Sequence, residues 1–336
     1  MLLKGGYVDS HIHGCFGEDT SDFSPEGLVK MARLLPSFGV TAFYPTTMTI
    51  SCDDICRCFE AFVKAREMLC LEDSCHASLM GIHLEGPFLN PDMAGVQALE
   101  HCLTPAEGIK LPSMLEERFP GVLKIIDIAP ELDGGYEFIR EYSSSYTLSL
   151  AHTKADYETA SKAFECGASS VTHVLNAMGG CSKRDPGVLG AVFDNASIRT
   201  EIICDGIHID PTVVRMLFKL LPEDKIVVVS DSMRGAGMPD GIYKLGPADV
   251  LCKGGRTYFG PGGNLAGSVT NMAAEAANLL RFGIPLERIV KACCINPLTT
   301  LGELFDGEGD SYIKTDDDLN ILETYIDGTK SDLSLS

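Results

Sequence analysis

Tyr7-Val8-Asp9-Ser10-His11-Ile12-His13-Gly14 reads as a strand with two imidazoles at its end. Side chains along a strand alternate between faces, so His11 and His13 point the same way. Two imidazoles on one stiff backbone form a natural bite for a divalent cation, because neutral imidazole is the commonest nitrogen ligand. A lone His-x-His also occurs on ordinary strands, so the pair gains meaning only if distant segments supply further ligands.

Outward from this strand, short apolar runs recur at Val40 to Tyr44, Leu79 to Leu84, Val122 to Ile128, Thr147 to Ala151, Ser169 to Thr172, Thr200 to Cys204 and Lys225 to Val229. With Tyr7 to Ile12 they make eight strands, mostly continuous in apolar or small residues, as parallel strands covered on both faces are. Amphipathic stretches at Pro25 to Phe38, Asp53 to Leu69, Ala155 to Glu165 and Pro211 to Leu220 supply the crossover helices that parallel strands require. Eight repeats over roughly 230 residues predict an α/β fold of the (β/α)8 barrel type. An open doubly wound sheet is the alternative, but no Gly-x-Gly-x-x-Gly follows the first strand.

Polar residues fall at the ends of these runs. His11 and His13 end the first, Glu85 the third, His152 the fifth, His173 the sixth with Asn176 just beyond, and Asp231 the eighth. In a barrel those ends face one mouth, so the sequence predicts a metal site there. His83, two residues before Glu85, is expected to support rather than ligate. His208, in Asp205-Gly206-Ile207-His208, is a candidate substrate contact, and His76 and His101 receive no role.

The 336 residues are 45% hydrophobic, enough for a large core. A net charge of −20 argues against nucleic-acid or anionic-membrane partners. Thirteen cysteines without paired spacing, and no secretory leader at Met1-Leu2-Leu3-Lys4, point to reduced thiols in the cytoplasm. No apolar run is long enough to span a bilayer.

Gly81-Ile82-His83-Leu84-Glu85-Gly86-Pro87-Phe88, Thr172-His173-Val174-Leu175-Asn176-Ala177-Met178, Asp205-Gly206-Ile207-His208 and Ser230-Asp231-Ser232-Met233 together resemble the N-acetylglucosamine-6-phosphate deacetylases of the amidohydrolase superfamily, in order from Tyr7 to Asn296. The resemblance implies a metal-dependent barrel that hydrolyses the acetamide of N-acetyl-D-glucosamine 6-phosphate to glucosamine 6-phosphate and acetate. It implies Glu85, His152 and His173 as metal ligands and Asp231 as the catalytic carboxylate. His11 and His13 match the extra pair of members that hold two metals, so one or two cations per subunit are expected: zinc first, iron or manganese as alternatives. Asp231 is expected to take a proton from the attacking water and return it to the sugar amine.

There is no Walker loop, so the resemblance assigns the phosphate to Asn176, Ala177 and Arg184, the last reaching a neighbouring subunit's site in a homodimer. Val96, Gln97 and the Leu265, Ala266, Gly267 segment match positions that touch the sugar, with Gln97 standing where some single-metal members carry a polarising histidine. Family members begin with several strands that pair with C-terminal ones in a small sandwich. Here the first barrel strand starts almost at Met1, so that sandwich is expected to be reduced or missing. The sequence thus predicts a catalytic barrel over 1–300, a hairpin inserted at about 238–260, and a remnant of the small β domain over 301–336. Deacetylation of N-acetylgalactosamine 6-phosphate, a related amidohydrolase reaction, or a non-catalytic sugar-phosphate binder are the competing readings.

Overall fold

The structure is a computed structural model that describes residues 1–71, 75–305 and 309–332. Its centre is a sheet of parallel strands lying side by side in chain order: Tyr7–Ile12, Val40–Thr47, Ile82–Phe88, Leu123–Ile128, Thr147–Leu150, Ser170–Val171, Arg199–Ile202 and Ile226–Val228. The eighth strand meets the first just beyond its end. The Asp231 N–H donates to the His11 carbonyl at 3.0 Å and the His13 N–H to the Ser232 carbonyl at 2.9 Å. The Asp9 carboxylate adds a buried clasp, accepting from the Ser230 N–H at 3.2 Å and hydroxyl at 2.5 Å. The sheet thereby closes into the expected (β/α)8 barrel, with its C-terminal strand ends gathered at one mouth.

Several crossover helices start where the sequence offers a side-chain cap. Ser24 accepts from the Gly27 N–H ahead of Pro25–Leu34, Ser51 from Asp54 ahead of Cys52–Cys70, and Asp156 from Thr159 ahead of Tyr157–Glu165. The inner faces of the helices and the outward residues of the strands share one core that includes Phe43, Phe59, Phe62, Ile126, Phe138 and Phe218. Burying each such side chain contributes about 1.5–3 kcal/mol, which is what fixes the strand ends relative to one another.

Three details differ from the sequence reading. The third barrel strand spans Ile82–Phe88, while Ser78–Leu79 pairs separately with the second strand. The break falls at Gly81, where a Cβ would lie 2.8 Å from the Val122 carbonyl. Glu85 therefore sits inside its strand rather than after it. The insertion is a three-stranded antiparallel meander of Gly241–Leu245, Ala248–Lys253 and Arg256–Tyr258 rather than a two-stranded hairpin. Leu2–Lys4, read as part of the barrel, pairs antiparallel with Tyr312–Thr315, and Ile321–Ile326 and Thr329–Lys330 complete a four-stranded sheet. A three-residue strand leaves no periodicity to read, and its partner lies about 310 positions away. Among the described residues no helix is long and apolar enough to cross a membrane.

Candidate metal centre and active site

At the barrel mouth a pocket of about 160 Å³ is lined by His13, Glu85, His152, His173, Asp231 and His208 on its polar side. His11 lies just beneath, fully buried. The imidazoles converge on the Glu85 carboxylate: His152 Nε2 and His173 Nε2 each lie 3.1 Å from Oε1, and His13 Nε2 lies 3.3 Å from Oε2. His11 Nε2 is 3.4 Å from His13 Nε2 and 3.7 Å from Glu85 Oε1. Asp231 Oδ1 closes the ring, 3.2 Å from His13 Nε2 and 3.5 Å from His11 Nε2. The backbone at His152, His173 and Asp231 has φ of 43°, 31° and 47°, a left-handed conformation that non-glycine residues adopt at a cost and that recurs at functional sites.

The far nitrogens decide which face of each ring is free. His13 Nδ1 donates to the Thr46 carbonyl at 3.2 Å and His152 Nδ1 to the Met93 carbonyl at 2.8 Å, since a carbonyl can only accept. His11 Nδ1 lies 3.3 Å from Glu201 Oε2. In neutral rings held this way the Nε2 lone pairs all point at carboxylate oxygens, an arrangement that repels itself unless positive charge sits between them. A divalent cation fits that donor set, and the groupings His11, His13, Glu85 and Glu85, His152, His173 each bring their donor atoms within 4.8 Å of one another.

The same demand appears in the ionisation of the groups. Burial alone would push the Glu85 carboxyl up, but hydrogen bonds from His13, His152 and His173 hold it well below the usual range. Asp231 is likewise pulled down against its burial by His11 and His13. Burial opposes charge on His173, yet its contacts with Glu85 raise it to about 9. The cluster is built to hold positive charge, as protons or as metal.

Val96, Gln97, Asn176, Ala177, Leu265, Ala266 and Gly267 all line the same pocket, joined by Met48, Ala94, Gly95 and Leu245, which the sequence reading missed. Gln97 donates through Nε2 to Glu85 Oε2 at 2.5 Å and accepts from the Thr49 N–H at 2.7 Å, so both ends of its amide are committed within the protein. Asn176 donates to the His173 carbonyl from its backbone N–H at 2.9 Å and from Nδ2 at 3.1 Å. His208 reaches the pocket with Nδ1 held by Asp205 Oδ2 at 2.7 Å. Arg184 lies outside the pocket on an exposed loop, and no lysine or arginine is among the pocket's lining residues. His83 has both ring nitrogens engaged, by the Ser10 carbonyl and Asp127 Oδ1 at 3.0 Å each, as befits a supporting group. Glu201 was also missed, although a carboxylate inside the apolar run Thr200-Glu201-Ile202-Ile203-Cys204 is a legible sign of a buried polar role.

Residues 2–303 match the sequence profile of the amidohydrolase family. The N-acetylglucosamine-6-phosphate deacetylase of Bacillus subtilis is 37% identical over 96% of this chain and 81% of its own. The N-acetylgalactosamine-6-phosphate deacetylase of Escherichia coli O157:H7 is 30% identical over 97% of this chain and 87% of its own. A variant of the N-acetyl-D-glucosamine-6-phosphate deacetylase of Mycobacterium smegmatis, solved in complex with N-acetyl-D-glucosamine-6-phosphate, superimposes with a TM-score of 0.89 at 26% identity, over 98% of this chain and 86% of that one.

Proposed function

The chain belongs to the amidohydrolase family, and from that premise we propose that it hydrolyses the acetamide of N-acetyl-D-glucosamine 6-phosphate, releasing acetate and glucosamine 6-phosphate. The observation that carries this reading is the convergence of four imidazole Nε2 atoms on Glu85 and Asp231 in one pocket. Glu85, His152 and His173 would hold one divalent cation, and His11, His13 and Glu85 a second, zinc being favoured by the nitrogen-rich donor set and iron or manganese being alternatives. A metal bound there would make a coordinated water far more acidic than bulk water and would polarise an acyl carbonyl.

The protein's own groups do the rest. Asp231, ionised and 3.2 Å from His13, accepts the proton of the attacking water and then delivers it to the amide nitrogen, converting a poor leaving group into an amine. Val96, His208 and the Leu265 to Gly267 segment line the sugar's place beside it. A substrate phosphate finds no cation among the lining residues, which supports Arg184 of a second copy as its partner in a homodimer. A cytoplasmic setting completes the reading, supported by thirteen cysteines that stand as free thiols.

Acetate release by purified protein of measured metal content, with the two N-acetyl amino-sugar 6-phosphates offered in parallel, tests the proposal. A metal-loaded preparation that deacetylates neither would overturn it. The 30% identity to an N-acetylgalactosamine-6-phosphate deacetylase makes preference for that epimer a competing outcome.

A further inference from the structure

Beneath the metal-type cluster lies an ion pair that the proposed chemistry does not use. Arg199 and Glu201, on the seventh barrel strand, are 2% and 0% exposed, with Nη1 2.7 Å from Oε1. Arg199 is pinned further by the hydroxyls of Ser10 at 2.5 Å, Ser170 at 3.2 Å and Thr300 at 3.1 Å. The second oxygen of Glu201 faces His11 Nδ1 at 3.3 Å. Burying two charges this deeply costs several kcal/mol per ion, and apolar replacements of similar size are often as stable or more so, so stability alone does not account for the pair.

The four metal-type imidazoles are anchored differently. His13 and His152 lean on backbone carbonyls, and His173 Nδ1 is buried without a hydrogen-bond partner. His11 alone leans on a carboxylate. Such a partner on the far nitrogen fixes the tautomer of a ligating ring and raises the basicity of the ligating nitrogen.

Resting on the two-metal reading above, we propose that Glu201, clamped by Arg199, is a positioning residue: it keeps the His11 proton on Nδ1 and its Nε2 lone pair free, and so sets the affinity of the metal position that His11 and His13 share. The Arg199 guanidinium has only donors and therefore claims an oxygen. In a Glu201→Gln variant the one amide oxygen turns to Arg199 and the NH₂ faces His11 Nδ1. The ring must then carry its proton on Nε2, where it cannot ligate. Adding Arg199→Met releases the amide to rotate its oxygen back toward His11.

The test is zinc binding to the full-length protein, followed as stoichiometry and as separate affinities for the two positions. Wild type is expected to bind two ions, Glu201→Gln to bind one of them 10–100-fold more weakly with the other unchanged, and Arg199→Met/Glu201→Gln to recover most of the loss. A merely structural role would leave the double variant no better than the single one, and that result overturns the proposal, as does a Glu201→Gln variant with wild-type affinity at both positions. Should the single variant not fold, the neutral double variant decides: near-wild-type binding supports the proposal, and a loss of tenfold or more at one position overturns it. Two metals in wild type together with no effect of Glu201→Gln defeats this inference alone, whereas a wild type that never holds zinc at His11 defeats the two-metal reading with it.

Discussion

Gln97 and Glu85 share a hydrogen bond of 2.5 Å, the side-chain amide donating to the carboxylate on which His11, His13, His152 and His173 converge. Gln97 is itself held by the Thr49 N–H, so it fixes the rotation of Glu85 from the loop side of the pocket. Replacing it by leucine keeps the bulk and removes the donor. Gln97→Leu is expected to weaken metal binding about tenfold, as loss of such supporting bonds does, measured by competition with a chelator. Unchanged metal affinity would reduce Gln97 to a wall of the sugar pocket.

Asp231 Oδ1 lies 3.2 Å from His13 Nε2 and 3.5 Å from His11 Nε2, where the proposed chemistry needs a proton acceptor. Asp231→Asn preserves size and removes the proton acceptor. Turnover is expected to fall by about 10²–10⁴-fold while bound metal is retained. An active Asn variant would show that the carboxylate only caps the loop after the eighth strand.

Protons and metal compete for the same donors. Burial opposes charge on His173 and His13, yet Glu85 and Asp231 favour it, raising His173 to about 9 and His13 well above an ordinary imidazole. Metal is expected to compete with protons on these rings, so affinity should rise with pH through about 9, where His173 loses its proton. Calorimetric titrations in buffers of different ionisation enthalpy should register net proton release at pH 7. Absence of release would mean that the cluster is already neutral before metal enters.

Asp9, buried at the seam between the first and eighth strands, has its carboxyl pushed up to about 7 by burial, against hydrogen bonds from Ser230 and His11 that pull it down. The folded pKa exceeds the unfolded value, so its favourable contribution is complete below pH 4 and is lost as pH rises through about 7. Asp9→Asn should therefore flatten the pH dependence of the unfolding free energy between about pH 4 and 7 in chelator-treated protein, by about a few kcal/mol at most, read from denaturant unfolding. Parallel wild-type and variant curves would place the titrating group elsewhere.

Arg184, exposed and away from its own pocket, is expected to act on a neighbour's substrate. Arg184→Ala should raise KM for the 6-phosphorylated sugar about 10–100-fold, the value of a hydrogen-bonded charge, and leave the unphosphorylated sugar unaffected. Equal effects on both sugars would remove Arg184 from phosphate recognition.

The chemistry-bearing residues were legible because polarity at the end of an apolar parallel strand is rare: His11, His13, His152, His173 and Asp231 each terminate a run that otherwise reads as core. Barrel topology then requires such ends to meet, so the residues proposed for the candidate centre and the eightfold order of strands could be read from one-dimensional pattern. What surrounds each ring was not. The carbonyls of Thr46 and Met93, the Arg199 and Glu201 pair under His11, and the grip of Gln97 on Glu85 depend on distances between segments far apart along the chain, which no local period encodes. For the same reason Leu2–Lys4 joined the small sheet unannounced: three residues carry no pattern of their own, and only the register against Tyr312–Thr315 makes them a strand.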